Sequence, residues 1–374
     1  MIMKITQLFK IYWPDNGGGI AQVIESIADG FSDCGQEIIV CQDKRHKKSV
    51  DDKYKGIPVR RSRQIFTFAS TPVSLQFLLD VKKRTKDTDI MIYHFPYPMI
   101  DIAVWLGIYS GKLVVWWHCD VEKYKKLLPV YKPFIRHTLK KADCILVSSK
   151  GNIVHSSILW PYRRKCKVIP YSVNDVYLQR GSAYVCEEHE KHAQVNILFV
   201  GRLVWYKGCE ILLRAFAAMQ QKNCRLTLVG SGPLEQELKR LVAELNLRNV
   251  EFTGMVTEEE KMRRIEACDF LVLPSVSKAE AFGLVQVEAM AFGKPVINTA
   301  LPSGVPSVSL DGITGKTVKP GSIMQLARAM DELAQNEELR SQYGKNAWKR
   351  VNQEYTKAVM VKRHRKVFQK LVQR

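Results

Sequence analysis

The sequence predicts an α/β protein with two doubly wound parallel sheets, and three observations support this fold class. Short apolar runs of strand length alternate with amphipathic helical stretches almost throughout the 374 residues. Such alternation is typical of parallel sheets that are covered by helices on both faces. The length exceeds one domain of about 150 residues, and the alternation fails at a polar stretch in residues 174–194. We therefore predict two Rossmann-like units joined by a linker near residue 180.

The first predicted unit, residues 1–175, begins with a strand and alternates regularly from there. Its strands are predicted at Lys4–Lys10, Glu37–Gln42, Asp89–Tyr93, Lys112–Trp117, Cys144–Ser148 and Lys167–Pro170. Between them, apolar residues recur at the helical spacing of about 3.6, as in Ile20–Phe31 and Val130–Leu139.

The second predicted unit, residues 190–354, repeats the pattern. Its strands are predicted at Val195–Val200, Arg225–Val229, Val250–Phe252, Phe270–Pro274 and Pro295–Asn298. A last helical stretch within residues 355–374 is expected to pack back on the first unit. Because doubly wound sheets bind ligands at the carboxyl ends of their strands, we expect the active site in a cleft between the two units.

The charge balance is the unusual feature of the composition. There are 57 Lys and Arg residues against 37 Asp and Glu, a formal net charge of +20. The excess is evenly shared, with 29 basic and 19 acidic residues in 1–190 and 28 and 18 in the remainder. Such an excess predicts an acidic partner: nucleic acid, an anionic membrane surface or phosphorylated small molecules.

Several classes of protein are excluded by local features of the sequence. The most apolar stretch, Met99–Tyr109, is about half the ~20 residues of a membrane span and contains Asp101. The N-terminal residues contain no apolar core of signal-peptide length. The nine cysteines form no Cys-x-x-Cys pair, which indicates reduced thiols in the cytosol and no zinc site.

In each unit, a glycine-containing loop follows the first predicted strand. Gly17, Gly18 and Gly19 precede the first helix, where free N–H groups favour an anion. In the second unit, Arg202 and Lys207 share one strand-to-helix loop, which is suited to holding a diphosphate. The alternative explanation for the three glycines is a plain tight turn. The alternative for Arg202 and Lys207 is two solvated loop charges.

The segment from Glu280 to Glu288 is the most informative motif. Two carboxylates are separated by seven residues, and Gly283 lies where a helix is predicted to begin, so its N–H groups can meet phosphate or sugar oxygens. If the segment were helical, its ends would lie about 12 Å apart, beyond the ~5–9.5 Å of a glycosidase carboxylate pair. We expect the two glutamates to hold hydroxyls at two ends of one elongated ligand.

Two further candidates carry a weaker signal. Gly230-Ser-Gly232 begins like a dinucleotide fingerprint, but Glu235 occupies the position of the third glycine. His118 ends a predicted strand and is followed by Asp120. A His at this position can face a ligand, and a hydrogen-bonded structural His is equally common there.

In this order, the motifs resemble those of the retaining, nucleotide-sugar-dependent glycosyltransferases of family 4, which have the GT-B fold of two Rossmann-like domains. The resemblance covers essentially the whole chain. It is strongest from Asn196 to Val318, where the Glu-x7-Glu signature is followed by Ala-Met-Ala-Phe-Gly-Lys-Pro-Val at 289–296. One departure lies at Pro302–Ser307, where the family often has Gly-Gly-x-Pro-Glu, so we assign no donor contact to Ser307.

The resemblance implies a role for each candidate residue. Arg202 and Lys207 would grip the donor diphosphate as catalytic cations, and Glu288 would bind the ribose hydroxyls. The remaining donor contacts would come from Gly18, Gly19, Gly230, Glu280 at the transferred sugar, and the backbone of Phe282, Gly283 and Leu284. His118, beside the reacting sugar, and Glu280 would also be catalytic residues. Gly17 and Asp120 would lie on the acceptor side.

The implied reaction is departure of a nucleoside diphosphate through an oxocarbenium-like transition state with retention of configuration. The leaving phosphate would take the acceptor proton, and Arg202 and Lys207 would stabilise its growing charge. The one Asp-x-Asp triplet, Asp87-Thr88-Asp89, lies at the start of a predicted strand and not in one of the candidate loops, and we expect no metal and no other cofactor.

The resemblance also bears on substrates and location. It is closest to bacterial surface-polysaccharide and lipopolysaccharide O-antigen transferases, which favours a hexose donor, GDP-mannose ahead of UDP-hexoses, and a lipid-linked saccharide acceptor. Three basic segments then predict peripheral contact with the anionic cytoplasmic face of the inner membrane. They are residues 82–86, residues 163–167 and the mixed basic and apolar segment Lys123–Phe134.

Three other functions compete with this one. An NAD-dependent two-domain oxidoreductase is disfavoured by Glu235 and by the Glu-x7-Glu pair. A GT-B epimerase or hydrolase would turn over the nucleotide sugar without an acceptor. A nucleic-acid-binding protein would use the basic surface, but the sequence contains no named binding motif for it, so we expect no nucleic-acid partner.

Overall fold

The computed structural model describes residues 2–15, 18–42, 47–69, 71–121, 128–186 and 194–373. The chain divides into two compact units, Met1–Tyr171 with Lys357–Arg374, and Ser172–Thr356. Each unit contains a parallel sheet flanked by helices, which confirms the predicted fold class. The second unit begins at Ser172, whereas the sequence places its start at residue 190.

The first unit is built on an eight-stranded sheet with the order β10-β9-β8-β7-β1-β2-β4-β3. The strands are β1 Lys4–Leu8, β2 Gly35–Cys41, β3 Val50–Tyr54, β4 Ile57–Ser62, β7 Ile90–Phe95, β8 Lys112–Trp117, β9 Cys144–Val147 and β10 Cys166–Val168. All pairs are parallel except β3 with β4. A separate hairpin pairs β5, Phe66–Phe68, with β6, Thr71–Val73.

Helices cover this sheet and enclose a core of apolar strand residues, including Tyr93, Val115 and Trp117. The helices are α1 Gly19–Gly30, α2 Leu75–Arg84, α3 Pro98–Trp105, α4 Leu128–Lys141, α5 Lys150–Val154 and the C-terminal α14 Lys357–Val372. Helix α14 packs on α1, where Arg365 pairs with Asp33 at 2.6 Å.

The second unit has a six-stranded, entirely parallel sheet with the order β13-β12-β11-β14-β15-β16. The strands are β11 Val195–Val200, β12 Cys224–Val229, β13 Val250–Gly254, β14 Phe270–Val272, β15 Val296–Thr299 and β16 Gly315–Val318. The helices are α6 Asp175–Cys186, α7 Cys209–Ala218, α8 Glu235–Glu244, α9 Glu258–Ala267, α10 Leu284–Ala291, α11 Val305–Val308, α12 Ile323–Gln335 and α13 Glu337–Glu354. This strand order is that of the dinucleotide-binding fold.

The structure corrects the predicted linker at residues 174–194. Residues 175–186 form α6, and residues 187–193 lie outside the described part of the chain. Gly181 lies within this helix, and a Cβ there would lie 2.2 Å from the carbonyl oxygen of Ala291. The glycine therefore allows α6 to pack closely against α10.

Strands β3, β4, β5, β6 and β16 are additions to the predicted set. The eight cysteines whose side chains are described are free thiols, five of them buried. Among the described helices, none is both long and apolar enough to cross a bilayer.

Candidate active site

The sheet order of the second unit brings two candidate loops together. The chain reverses its direction of strand addition between β11 and β14, which are neighbours in the sheet. The loop after β11 carries Arg202 and Lys207, and the loop after β14 carries Glu280 to Leu284. Ligands of doubly wound sheets bind where the strand order reverses in this way.

The loop after β11 is fixed from both sides by backbone hydrogen bonds. The N–H of Leu203 donates to the carbonyl of Ser231 at 2.9 Å, and the N–H of Val276 donates to that of Tyr206 at 2.8 Å. Gly230 has a φ of +126°, and a Cβ there would lie 2.2 Å from the carbonyl oxygen of Gly201. Gly230 therefore allows the two loops to approach closely.

Lys207 and Glu280 form an ion pair at the centre of these loops. Lys207 Nζ lies 2.5 Å from Glu280 Oε2, and both side chains are mostly buried. The hydroxyl of Ser275 donates to the same carboxylate oxygen at 3.3 Å. Burial would lower the pKa of Lys207, but the neighbouring Glu280 carboxylate outweighs it and the pKa is raised. Lys207 is therefore a fixed positive charge at neutral pH.

Arg202 lies on the same loop and is exposed. Within the described part of the chain, it forms no ion pair. Its guanidinium, unlike the Lys207 ammonium, is thus available to an anion without displacing a carboxylate of the protein.

Gly283 precedes α10 in a left-handed conformation, with a φ of +71°. The side chain of Phe282 points into the protein, where its ring packs edge-on against Tyr355 at 6.1 Å. Leu284 is the first residue of α10. These residues therefore present main-chain groups at a helix N-terminus, which is a suitable arrangement for binding phosphate or hydroxyl oxygens.

A buried polar network behind Gly283 holds this turn in place. Gln286 Nε2 donates to the carbonyl of Phe282 at 2.9 Å, and Asn298 Nδ2 donates to Gln286 Oε1 at 2.8 Å. The N–H of Gly304 donates to the carbonyl of Ala281 at 2.8 Å. Gln286 and Asn298 were not predicted as site residues, although a polar residue within the apolar runs of α10 and β15 is a usable signal.

Glu288 is held by a second network of charges. Its Oε2 lies 3.1 Å from Lys261 Nζ, which also lies 2.8 Å from Glu258. The hydroxyl of Tyr177, on α6, donates to Glu258 at 2.5 Å. Burial raises the pKa of Glu288, and the charge of Lys261 opposes this. Neither Lys261 nor Tyr177 was singled out from the sequence, because the pairing depends on how α6, α9 and α10 pack.

The candidate glycines of the first unit follow β1. Gly18 caps α1, Gly19 begins it, and Gly17 lies outside the described residues. A Cβ at Gly18 or Gly19 would have no neighbour within 4 Å, so packing within the described chain does not require either glycine. Arg61, on β4, fixes the preceding loop by donating to the carbonyl of Trp13 and pairing with Asp15 at 3.3 Å.

His118, immediately after β8, is buried and hydrogen-bonded through both ring nitrogens. Its Nε2 lies 2.9 Å from His94 Nδ1, and its Nδ1 lies 2.7 Å from the hydroxyl of Tyr171. His94 Nε2 in turn lies 3.0 Å from Gln7 Oε1. Because Gln7 Oε1 only accepts, His94 donates to it, and His118 must then donate to His94 and accept from Tyr171.

Both histidines of this chain of hydrogen bonds are neutral. Burial lowers the pKa of His118 to about 3 and holds that of His94 well below its usual value. Asp120 is also engaged, since its Oδ1 accepts from the indole of Trp117 at 3.1 Å and from the hydroxyl of Ser156 at 2.8 Å. His118 and Asp120 thus have clear structural partners in the first unit.

The structure therefore brings Arg202, Lys207, Gly230, Glu280, Gly283 and Glu288 to the carboxyl edge of the second sheet. Gly18, Gly19, His118 and Asp120 lie at the carboxyl edge of the first. In the described ranges, no group of three or more His, Cys, Asp or Glu side chains is arranged to hold a metal ion.

Two Rossmann-like units of this kind define the GT-B class of glycosyltransferases, and comparisons with known proteins agree. The family profile "Glycosyltransferase Family 4" matches residues 17–175, and "Glycosyl transferases group 1" matches residues 187–350. O-antigen chain mannosyltransferase C of Escherichia coli is 33% identical over 359 residues, covering 96% of each chain. D-rhamnosyltransferase WbpZ of Pseudomonas aeruginosa is 31% identical over 357 residues, covering 95% of this chain and 92% of the relative.

Solved structures share the fold. Anabaena Alr3699/HepE in complex with UDP and glucose superimposes with a TM-score of 0.74 at 20% identity, covering 99% of this chain and 100% of the other. The lipopolysaccharide outer core galactosyltransferase WaaB gives 0.73 at 19% identity, with coverage of 99% and 100%. The chain belongs to the family 4 glycosyltransferases. The NAD-dependent oxidoreductase alternative is not favoured by these matches.

Proposed function

We propose that this glycosyltransferase moves a hexose from a nucleotide sugar to a lipid-linked saccharide during assembly of bacterial O-antigen or a related surface polysaccharide. The donor we favour is GDP-mannose, because the relative that is 33% identical over 96% of the chain is named as an O-antigen mannosyltransferase. A UDP-hexose is the second candidate, since Alr3699/HepE, which shares the fold, is described in complex with UDP and glucose.

The observation that carries this proposal is the pairing of Lys207 with Glu280 beside Arg202. A diphosphate at the loop after β11 would meet the exposed Arg202 guanidinium and the Lys207 ammonium. Glu280, which already holds Lys207 in place, would accept from a hydroxyl of the transferred sugar. As the bond to the sugar breaks, charge grows on the leaving phosphate, and preorganised cations stabilise that charge more than the ground state.

Glu288 is proposed to bind the ribose of the donor. The carboxylate lies on α10, five positions after Gly283, and Lys261 helps to keep it ionised despite its burial. A carboxylate accepts from two adjacent hydroxyls, as acidic residues do at the ribose in other nucleotide sites. The free N–H groups at the start of α10 would meet oxygens of the phosphate or the sugar.

We propose retention of configuration with the leaving phosphate as the proton acceptor, and reaction without a metal ion. In this scheme Arg202 and Lys207 supply the positive charge that a divalent cation provides in other transferases. The first unit would bind the acceptor, with Gly18 and Gly19 leaving space for the ligand. We propose that the enzyme works at the cytoplasmic face of the inner membrane, where a lipid-linked acceptor would be presented.

Thermal denaturation with GDP, UDP and ADP tests the donor assignment, because a ligand that binds only the folded state raises Tm by mass action. We expect GDP to give the largest rise. If UDP alone raises Tm, the assignment of GDP-mannose as the donor is wrong. If none of the three nucleotides raises Tm, the assignment of the donor-binding site is wrong.

The products test the reaction itself. With the matching nucleotide sugar and a lipid-linked acceptor, NMR of the product should show the anomeric configuration of the donor, and EDTA should leave the rate unchanged. Consumption of the nucleotide sugar at the same rate without acceptor would favour an epimerase or hydrolase instead.

A further inference from the structure

The first unit exposes an unusual concentration of large apolar side chains between residues 65 and 79. Each of the five is between 55% and 63% exposed. They are Ile65, Phe66, Phe68, Leu75 and Leu79, and we call them the hairpin–helix surface. Soluble proteins expose single apolar residues routinely, but a concentration of this kind marks a contact site.

The hairpin–helix surface is a single, well-anchored piece of structure. Strands β5 and β6 form a two-stranded hairpin, and α2 begins two residues after β6. Ser74 caps α2 by accepting from the N–H of Phe77, and its hydroxyl donates to the carbonyl of Arg63 at 2.5 Å. Tyr97 donates to the carbonyl of Pro72 at 3.0 Å. The exposed side chains are thus carried on a fixed backbone.

The two sides of α2 differ sharply. Phe77 and Val81 are buried in the core of the first unit. Leu75 and Leu79 are one helical turn apart and lie on the exposed side. The described chain therefore buries one apolar side of α2 and leaves the other uncovered.

Positive charge lies in the same segment of the chain as this apolar surface. Residues 63–86 contain five Lys and Arg residues and one acid, Asp80, which is buried and paired with Arg60 at 2.8 Å. Arg84 is neutralised by Glu37 and Asp51. The exposed cations of the segment are Arg63, Lys82, Lys83 and Lys86.

We propose that the hairpin–helix surface inserts into the boundary between headgroups and acyl chains of an anionic bilayer, with the surrounding cations at the lipid phosphates. Apolar side chains beside basic ones on one surface are the pattern of interfacial binding. A second copy of the chain is a less suitable partner than an anionic bilayer, because its basic residues would lie opposite the basic residues of this surface. This proposal rests on the membrane-bound acceptor of the proposed function, and it assigns contact with the bilayer to the β5–β6 hairpin and α2.

This surface includes the cations of one predicted basic segment, residues 82–86, and differs from another, Lys123–Phe134. Residues 122–127 lie outside the described chain, and in α4 the side chains of Leu128 and Tyr131 pack against the core. Among the other predicted cations, Lys165 donates to the carbonyls of Lys140 and Ala142 at the end of α4, both at 2.7 Å. The side chains of Leu128, Tyr131 and Lys165 are thus engaged within the protein, whereas Val130, Arg163 and Arg164 are exposed.

Co-sedimentation of the full chain with phosphatidylcholine vesicles, with and without phosphatidylglycerol, tests the proposal. The double variant Phe66→Ser/Phe68→Ser should lower the partition coefficient about tenfold or more, because two aromatic side chains lose their insertion. The control Ile313→Ser/Met324→Ser, which changes two comparably exposed apolar residues of the second unit, should bind like the wild type.

A variant that removes positive charge tests the contribution of the basic residues beside the hairpin–helix surface. Lys82→Gln/Lys83→Gln should weaken binding about fivefold per charge on vesicles with phosphatidylglycerol, and much less on phosphatidylcholine alone. Lys345→Gln/Lys349→Gln removes the same charge from exposed positions on α13 and should have little effect. If both lysine pairs weaken binding equally, only net charge matters and the proposed surface is wrong.

Circular dichroism and nucleotide-induced rises in Tm distinguish loss of membrane binding from misfolding and from failure of the donor site. Circular dichroism and Tm should be unchanged in the serine variant, and Leu75→Ser/Leu79→Ser provides a second disruption if that variant misfolds. Wild-type binding by both variants would overturn the proposal, as would a solution dimer that these substitutions dissociate without affecting vesicle binding. Nucleotide-induced rises in Tm should persist in all variants, so failure of the donor site would be seen independently.

Discussion

The carboxyl edges of the two sheets carry polar side chains of opposite character. At the second sheet, Lys207 pairs with Glu280 and Lys261 pairs with Glu288, and Arg202 is exposed on the loop that carries Lys207. At the first sheet, His118 belongs to a chain of neutral, buried groups that satisfy one another. In the proposed function, the charged groups of the second unit bind a charged ligand, whereas the neutral groups at the first sheet satisfy one another.

Under the proposed function, this difference would give the two units different roles. A diphosphate requires cations, and Arg202 and Lys207 of the second unit would provide them on a loop that backbone hydrogen bonds fix. A saccharide acceptor is neutral at its reacting hydroxyl and needs a rigid surface more than it needs charge. The predictions below follow this comparison from the largest effect to the smallest.

Loss of either cation of the second unit should have the largest effect. Arg202→Ala and Lys207→Ala should each lower kcat about 10²- to 10³-fold, the range found when one preorganised donor to a developing anion is removed. Steady-state kinetics measures this, with Lys345→Ala as a control that removes an exposed lysine elsewhere in the unit. Near-normal turnover by either variant, with Tm unchanged, would contradict the assignment of the diphosphate site.

Lys261 should act on the donor through Glu288. Lys261→Met removes the charge that opposes the upward shift of the Glu288 pKa, so this carboxyl should protonate at higher pH. The acidic limb of the kcat/KM profile for the donor should move to higher pH, and donor KM at neutral pH should rise about tenfold.

Lys261→Arg, which keeps the charge, should restore both parameters. A purely structural role for Lys261 would lower Tm in the Met variant and leave the acidic limb where it is in the wild type.

The neutral histidines of the first unit should make stability depend on pH. Besides His118, the buried His364 of α14 is also held neutral. The pKa values of His118 and His364, about 3 and about 4, lie below the value near 6.5 of an unfolded chain. Below about pH 6.5 the unfolded state therefore binds more protons, and the contribution of these groups to stability is lost as the pH falls.

We expect Tm to fall between pH 7 and pH 4 more steeply in the wild type than in His118→Gln, by a few degrees. The exposed His155 is a matched control, and His155→Gln should follow the wild-type curve. Parallel curves for the wild type and His118→Gln would show that the His118 imidazole is not held neutral.

The glycines after β1 should give the smallest effect on stability. Gly19→Ala adds a Cβ that meets nothing within 4 Å, so it should stabilise the protein by up to about 1 kcal/mol through the unfolded state. If this glycine leaves space for the ligand, transfer should nevertheless be slower. Unchanged kinetics together with a higher Tm would remove Gly19 from the site.

The fold was largely predictable because its signal is local. Buried strands such as β8 and β11 are mostly apolar, and the predicted bounds of both agree with the structure. The strands that were missed lack this signal: β3 is a polar, exposed antiparallel strand, and β16 is four residues long and begins with a glycine. Helix α6 was missed because its stretch of sequence is polar and contains a glycine. In the structure, that glycine, Gly181, allows α6 to pack closely against α10.

The positions of the site residues in sequence were predictable, but their partners were not. Lys207 and Glu280 were both singled out, yet nothing in the sequence pairs residues that are 73 positions apart. The pairing of Lys261 with Glu288, and of His94 with His118, depends on which helices and strands become neighbours. Only the tertiary structure supplies that information.

The central claim is that Lys207 holds the diphosphate of the donor, and calorimetric titration tests it most directly. The wild type should bind GDP or UDP much more tightly than guanosine or uridine, because the nucleosides lack the group that Lys207 and Arg202 contact. In Lys207→Ala this preference for the diphosphate should largely disappear. An undiminished preference in a folded Lys207→Ala variant would contradict the account.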